Sequence, residues 1–187
     1  MDEFSYLSVL LSIILGLAIT QILQGLRARM LSHARVQPYW PTQVWAATLL
    51  LVCTQTWWAL FDMRDRHDWE FNQFAVLLTQ TVLLYLIAGL VYPDFGEEKV
   101  VDLRAHYFQQ RKRVFSLFVV AVLVSICRDL VLDHALPERA NLIFHAVFLV
   151  TASVAIATAN EWYHKLLALF AAGTFLFYVS SLFTRLR

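Results

Sequence analysis

Long apolar runs, separated by short charged or proline-containing stretches, dominate the pattern of hydrophobic and polar positions along the chain. A bilayer core of roughly 30 Å needs about 20 mostly apolar residues in a helix. Runs such as LSIILGLAI and FLVTASVAIA do not alternate apolar with polar residues, which argues against the strands of a β-barrel. The pattern therefore predicts six membrane-spanning helices, at approximately 4–26, 42–62, 71–92, 113–133, 140–159 and 161–184.

The composition indicates the same class of protein. Of the 187 residues, 59% are hydrophobic and only 16% are charged, which lies outside the usual range of soluble domains. We therefore expect an all-α integral membrane protein whose residues 1–187 form a single transmembrane domain, a six-helix bundle in contact with the lipid bilayer. The formal net charge is only +1, so no basic surface for nucleic acid is expected.

The longest connection between predicted spans, residues 93–112, ends in the basic cluster Arg111, Lys112 and Arg113. Lys and Arg are enriched in short cytoplasmic connections, so this loop is predicted to be cytoplasmic and both termini are predicted to lie outside. The membrane is expected to be a bacterial inner membrane. Reporter fusions in successive connections would test this orientation. The loop itself is predicted to be either a short interfacial helix that leads into the fourth span or a plain solvated connection.

A weak internal similarity links the two halves of the chain. The third and sixth spans share a loose pattern, LLYLIAGLVY against LLALFAAGTFLFY. A duplication of three spans would be inverted in topology, which is a recurrent plan of transporters. The alternative is that aliphatic helices resemble one another by chance.

Small residues interrupt the first apolar run at every fourth position. Such residues let two helix backbones approach closely, so the stripe predicts a helix-packing seam. The alternative is the wall of a path for a polar solute, with Gln21 and Gln24 at its polar end. The stripe consists of Ser8, Ser12, Gly16 and Thr20.

Polar residues within the other spans are the remaining candidates for a functional site, because they are costly in a bilayer. Gln55 and Gln80 suit either hydrogen bonds between helices or a polar path, and His145 needs a hydrogen-bond partner within the apolar stretch NLIFHAVFLV. Arg128 and Asp129 interrupt the fourth span. Adjacent helical residues point about 100° apart, so the predicted partner of Arg128 is Asp62, on the second span, with Asp129 as the runner-up. The alternative is that Arg128 has no partner and extends its charged group to the membrane surface.

No motif in the sequence assigns a metal, a cofactor or a catalytic residue. Asp and His residues cluster after the second and fourth spans, but without a recognised metal-ligand spacing. The two cysteines, Cys53 and Cys127, lie in apolar runs, where thiols behave as small hydrophobes. No phosphate-binding loop or nucleophile elbow occurs either, so enzymatic activity is not the leading expectation.

Three classes of function are compatible with this sequence. A component of a small-solute or ion channel or transporter is the leading one, because polar residues recur within a chain made almost entirely of membrane spans. The alternatives are a membrane-embedded metal- or haem-binding redox protein or enzyme, and a structural or assembly subunit of a membrane complex. A six-helix bundle leaves little room for a wide internal route, so a pore between the protomers of a homo-oligomer is a further expectation.

Overall fold

The computed structural model of the chain describes residues 3–32, 35–95 and 100–182. These residues form six long helices, one pair of short strands and a 3-10 turn. Each long helix is long and apolar enough to cross a bilayer, so the prediction of an all-α fold with six helices able to span a membrane is confirmed. The elements are α1 (Glu3–Leu31), β1 (Arg35–Gln37), α2 (Trp40–Leu60), the 3-10 turn (Phe61–Met63), α3 (Phe71–Val91), β2 (Val100–Asp102), α4 (Leu103–Asp133), α5 (Arg139–Ala157) and α6 (Glu161–Leu182).

The start of α4 corrects the predicted connection 93–112. This helix begins at Leu103, before the apolar run, because Asp102 caps it: the carboxylate accepts hydrogen bonds from the backbone N–H groups of Arg104, at 2.8 Å, and Ala105, at 3.0 Å. Apolar length marks only the membrane-crossing part of a helix, so the sequence left these polar turns open between a short interfacial helix and a solvated connection, and the structure shows them as the start of α4. Residues 96–99 of the predicted loop, and the predicted end of the last span at 184, lie outside the described residues.

The two short strands were not predicted from the sequence. They pair in parallel, with Val36 opposite Val101, and so join the connection after α1 to the connection before α4. We call the end of the bundle that carries these strands the strand face, and the end that carries residues 61–70 and 134–138 the opposite face. The strand pair fixes the relative height of α1 and α4 at the strand face.

Helix packing divides the interior into two apolar clusters. In the first, α1 packs mainly against α3, and α3 also packs against α4; Leu15 and Ile87 lie at its centre. In the second, α2 packs against α6, and Trp45, Phe115 and Ala168 meet between α2, α4 and α6. This packing does not show the predicted inverted repeat, which stays a prediction, as do the orientation and the kind of membrane.

The middle of α4 and most of α5 are poorly covered by the rest of the chain. Between Phe115 and Leu132 no side chain of α4 is buried, and the buried residues of α5 are Ala152 and Ala155. Both helices are apolar over this length. These surfaces are therefore suited to contact with lipid acyl chains.

Candidate functional site

The stripe of small residues on α1 does not form the predicted seam within the bundle. Gly16 and Thr20 are exposed, and a Cβ atom added at Gly16 would meet nothing within 4 Å. The Thr20 hydroxyl instead donates to the Gly16 carbonyl at 2.8 Å, and the Ser8 hydroxyl to the Ser5 carbonyl at 3.1 Å. Within the described part of the bundle, no helix packs against Gly16, and the packing seam stays a prediction. The buried face of α1 consists of Leu11, Leu15, Ala18 and Ile22.

Another side chain does lie close to the backbone of α1 at Gly25, near the strand face. A Cβ atom at this position would lie 2.7 Å from both Cβ and Cγ of Tyr92, the residue that follows α3. The absence of a side chain at Gly25 therefore lets the ring of Tyr92 lie directly against the α1 backbone. This contact brings the end of α3 against the last turns of α1.

Beside this contact, the ends of α1 and α3 border an open pocket, which we call the polar pocket. It offers about 140 Å³ of space for the centres of water-sized molecules, enough for several waters or a small solute. Its polar lining includes Gln21 and Gln24 from α1 and Tyr92 and Asp94 from the segment after α3. The two glutamines that the sequence placed at the end of the small-residue stripe thus do lie in one site.

Hydrogen bonding holds one lining side chain in place, and burial keeps another protonated. Gln21 Nε2 donates to the Tyr85 hydroxyl at 3.4 Å, which links α1 to α3 at the inner end of the pocket. Burial raises the pKa of Tyr92 above its ordinary value of 10.0, although the nearby Arg29 guanidinium lowers it. The Tyr92 hydroxyl therefore stays protonated at neutral pH. Asp94 is exposed at the mouth of the pocket.

Arg128 forms its ion pair within α4 rather than with α2. Its Nε and Nη2 atoms donate to Asp129 Oδ1 at 2.9 and 2.7 Å, whereas Asp62 is exposed in the 3-10 turn. The predicted pairing with Asp62 is therefore wrong. The Cβ directions of adjacent residues diverge, but the long arginine side chain curls around the helix and brings its guanidinium to the neighbouring carboxylate.

A second ion pair, which the sequence did not indicate, joins two parts of the chain at the opposite face. Arg66 Nη2 lies 2.7 Å from Asp133 Oδ1, and Arg66 Nη1 donates to the Leu132 carbonyl at 2.6 Å. A cation at this position satisfies a carbonyl that the end of α4 leaves free and complements the negative end of the helix dipole. The contact ties the connection between α2 and α3 to the end of α4.

The other predicted polar residues do not join the polar pocket. His145 Nδ1 donates to the Asn141 carbonyl at 2.6 Å, and Nε2 lies 3.1 Å from Ser125 Oγ on α4, so this histidine has the partner that its apolar surroundings require. Gln55 and Gln80 are half-buried on α2 and α3. In the described ranges, no hydrogen bond joins either glutamine to the other or to the Arg128 ion pair.

A buried tyrosine–histidine pair connects α4 to α6 near the strand face. His164 is completely buried; its Nε2 lies 3.0 Å from the Thr158 carbonyl and its Nδ1 lies 3.1 Å from the Tyr107 hydroxyl. Because a carbonyl can only accept, Nε2 carries the proton in the neutral ring, and Nδ1 accepts from Tyr107. Sequence reasoning missed this pair because its members lie 57 residues apart and neither belongs to a motif.

A network of charged side chains lies next to this pair, on the same two helices. Glu161 accepts from Arg104 Nη2 and from Lys165 Nζ, both at 2.8 Å. All three side chains are partly exposed, and exposed ion pairs contribute little to stability. Their role here is to match the first turn of α6 to the first turn of α4.

Within the described ranges, no group of three or more His, Cys, Asp or Glu side chains is placed to hold a metal ion. The polar pocket is a candidate site for a small polar ligand, because glutamine, tyrosine and aspartate residues line it. No protein-family model matches the sequence, and no curated protein or solved structure shows significant similarity to it.

Proposed function

We propose that the protein is a component of a small-solute or ion transporter or channel, with the polar pocket as its solute site. The observation that carries this proposal is a pocket of about 140 Å³, lined by glutamine, tyrosine and aspartate side chains, between two helices that are each able to span a bilayer. Polar groups at such positions are costly unless they serve a polar ligand or each other.

The depth of the pocket favours a transporter over an open pore. Its α1 lining extends from Ala28, at the strand face, inward to Gln21. Beyond Gln21 the buried residues are mainly apolar, among them Ala18 and Leu84, and the hydroxyl of the buried Thr81 donates to the Leu78 carbonyl of its own helix. A solute that enters from the strand face would therefore stop at Gln21 until α1 and α3 rearrange. This is the behaviour of a site that alternates between the two sides of a membrane.

Amide and hydroxyl groups supply the chemistry that such a site needs. A solute entering a bilayer-spanning protein loses part of its hydration shell, and polar side chains replace the lost contacts. Gln24 can both donate and accept hydrogen bonds, and the protonated Tyr92 hydroxyl can do the same. In the predicted orientation, the mouth of the pocket would face the cytoplasm.

Flux measurements on purified protein in liposomes test the proposal. Glycerol and urea permeation would be followed by light scattering, and K⁺ and H⁺ movement by ion-sensitive dyes. Gln21→Leu and Gln24→Leu should reduce the flux of whichever solute moves, because leucine removes the polar groups. Gln109→Leu is the matched control, since Gln109 is exposed on α4 and does not line the pocket. Wild-type flux equal to that of protein-free liposomes, or unchanged flux in both pocket variants, contradicts the proposal.

A second candidate function is a role in assembly, for which the exposed apolar surfaces of α4 and α5 are the supporting observation. Ile143 and Val150 on α5 are 66% and 64% exposed, and these surfaces could contact a second copy of the chain as well as lipid. Cys127 is exposed on α4, whereas Cys53 is buried. If copies pair through α4, mild oxidation in membranes should give a covalent dimer that Cys127→Ser abolishes. A chain that stays monomeric under oxidation argues against pairing at this surface.

A further inference from the structure

We infer that the polar pocket binds a monovalent cation, either a metal ion or an ammonium group. The inference rests on the proposed function only in taking the same pocket as the solute site. It depends on three features of the lining, namely the end of α3, the oxygen atoms around the cavity and the balance of charge.

The first feature is the carboxyl end of α3, which forms one wall of the pocket. The last carbonyl groups of a helix have no partner within it and carry the negative end of its dipole, which favours cations. Gly89 lines the pocket, and its carbonyl would be paired in a continuing helix with the N–H of residue 93. That residue is Pro93, which has no N–H. The Gly89 carbonyl therefore lacks its helical donor, whereas the Leu90 carbonyl accepts from His106 Nε2 at 3.1 Å.

The second feature is the set of oxygen atoms that the side chains of the lining residues carry. Asp94, Gln21 and Gln24 belong to the lining and carry carboxylate and amide oxygens. Tyr92 also belongs to the lining, and its hydroxyl group hydrogen-bonds to Gln43. Alkali-metal and ammonium ions bind through oxygen atoms of this kind, and neutral oxygens suffice for much of the shell. The contact between Gly25 and Tyr92 holds these groups of α1 and α3 around one cavity.

The third feature is the balance of charge, which fits one positive charge. Among the described residues that line the pocket, Asp94 is the single carboxylate, whereas proteins that bind Ca²⁺ usually supply several carboxylates. Arg29, whose charge acts on Tyr92, is not among the lining residues. Its Nη1 atom lies 3.1 Å from the side-chain amide of Gln43, once that amide is oriented to satisfy its neighbours. A monovalent cation can therefore occupy the cavity without displacing an existing ion pair.

The test is the cation dependence of thermal stability, measured on the purified full chain in detergent. KCl, NaCl and NH₄Cl would be titrated against N-methyl-D-glucamine chloride at constant ionic strength and chloride concentration. A ligand that binds only the folded protein raises the melting temperature, so at least one small cation should do so in a saturable way. The comparison of K⁺ and Na⁺ with NH₄⁺ distinguishes a metal ion from an ammonium ligand.

Three pocket variants should change the response to cations in different ways. Asp94→Asn should raise the half-saturating cation concentration about fivefold, the upper range for an exposed charge. Gln24→Glu should lower that concentration by adding a second carboxylate. Gln24→Lys should abolish the cation dependence, because its own ammonium group would occupy the cavity. Asp65→Asn is the matched control, since Asp65 is exposed in the connection between α2 and α3 at the opposite face.

The inference is overturned if no small cation stabilises the wild-type protein beyond N-methyl-D-glucamine. It is also overturned if Asp94→Asn and Gln24→Lys respond to cations as the wild type does. The transport proposal fails separately: saturable cation binding that the pocket variants alter, in a protein without flux, supports the cation site and rejects transport. Flux of glycerol or urea, in a protein whose melting temperature does not depend on small cations, supports transport and rejects the cation site.

Discussion

The contact between Gly25 and Tyr92 gives the sharpest prediction, because α1 contains two glycines in opposite surroundings. A Cβ atom at Gly16 would meet nothing within 4 Å, whereas one at Gly25 would lie 2.7 Å from Cβ and Cγ of Tyr92. Non-bonded carbon atoms prefer separations of about 3.5–4.0 Å. The same substitution, glycine to alanine, should therefore have opposite effects at two positions on one helix.

The magnitudes follow from helix propensity and overpacking. Alanine is favoured over glycine in a helix by about 1 kcal/mol, so Gly16→Ala should raise the free energy of unfolding by up to about 1 kcal/mol. At Gly25 the same gain is opposed by an overlap with Tyr92 Cβ, which is attached to the backbone and cannot rotate away. Overpacking costs about 1–3 kcal/mol, and the upper end applies because backbone must move. Gly25→Ala should thus lose about 2 kcal/mol, and the variants should differ by about 3 kcal/mol.

Thermal unfolding in one detergent, with circular dichroism as a check of helix content, measures this difference. For a chain of this size, 1 kcal/mol corresponds to about 2–4 °C, so the two variants should melt about 6–12 °C apart. Adding Tyr92→Gly removes both the ring and the Cβ atom, and with them the overlap, so Gly25→Ala should cost much less in that background. Equal melting temperatures for Gly16→Ala and Gly25→Ala, or an undiminished loss in the Tyr92→Gly background, would refute the reasoning.

Two further predictions concern the buried and half-buried polar pairs. Tyr107→Phe should lower the free energy of unfolding by about 1–3 kcal/mol, because it leaves His164 Nδ1 buried without a donor; unchanged stability in chemical unfolding would mean that another group satisfies this nitrogen. Arg128→Ala and Asp129→Ala should be non-additive in a double-mutant cycle, since their side chains are 28% and 16% exposed and joined at 2.7 Å. Arg128→Ala and Asp62→Ala should instead be additive, and measurable coupling between them would restore the partner predicted from the sequence.

Much of the fold is encoded locally and could be predicted from the sequence. A helix that crosses a membrane needs only sufficient apolar length, so the limits of the six helices lie within about five residues of the predicted spans at most of the described ends. The start of α4 was wrong by about ten residues because polar helical turns lie outside this criterion. Its cap at Asp102 is also local, and could have been recognised as an N-cap residue before Leu103.

The packing surfaces could not be predicted in the same way. The spans are apolar around most of their circumference, so no amphipathic stripe marks the side that packs. The small-residue rule therefore selected Gly16, which is exposed, whereas the buried face of α1 begins at Leu11. The sequence did place Gln21 and Gln24 at the end of this helix, but not the pocket that they line.

By itself, the sequence determined the number of helices, their approximate limits and the polar residues that the bilayer makes costly. Only the tertiary structure decided which residues meet: Gly25 with Tyr92, Tyr107 with His164, and β1 with β2. Helix formation depends on neighbours in the sequence, and in a bilayer the apolar lengths suffice to specify it. Contacts between helices depend instead on the fit of side chains far apart in the chain, and lipid tails are as apolar as the helix surfaces. Shape complementarity, such as a ring lying against a glycine, therefore selects the partner, and it exists only once the helices have packed.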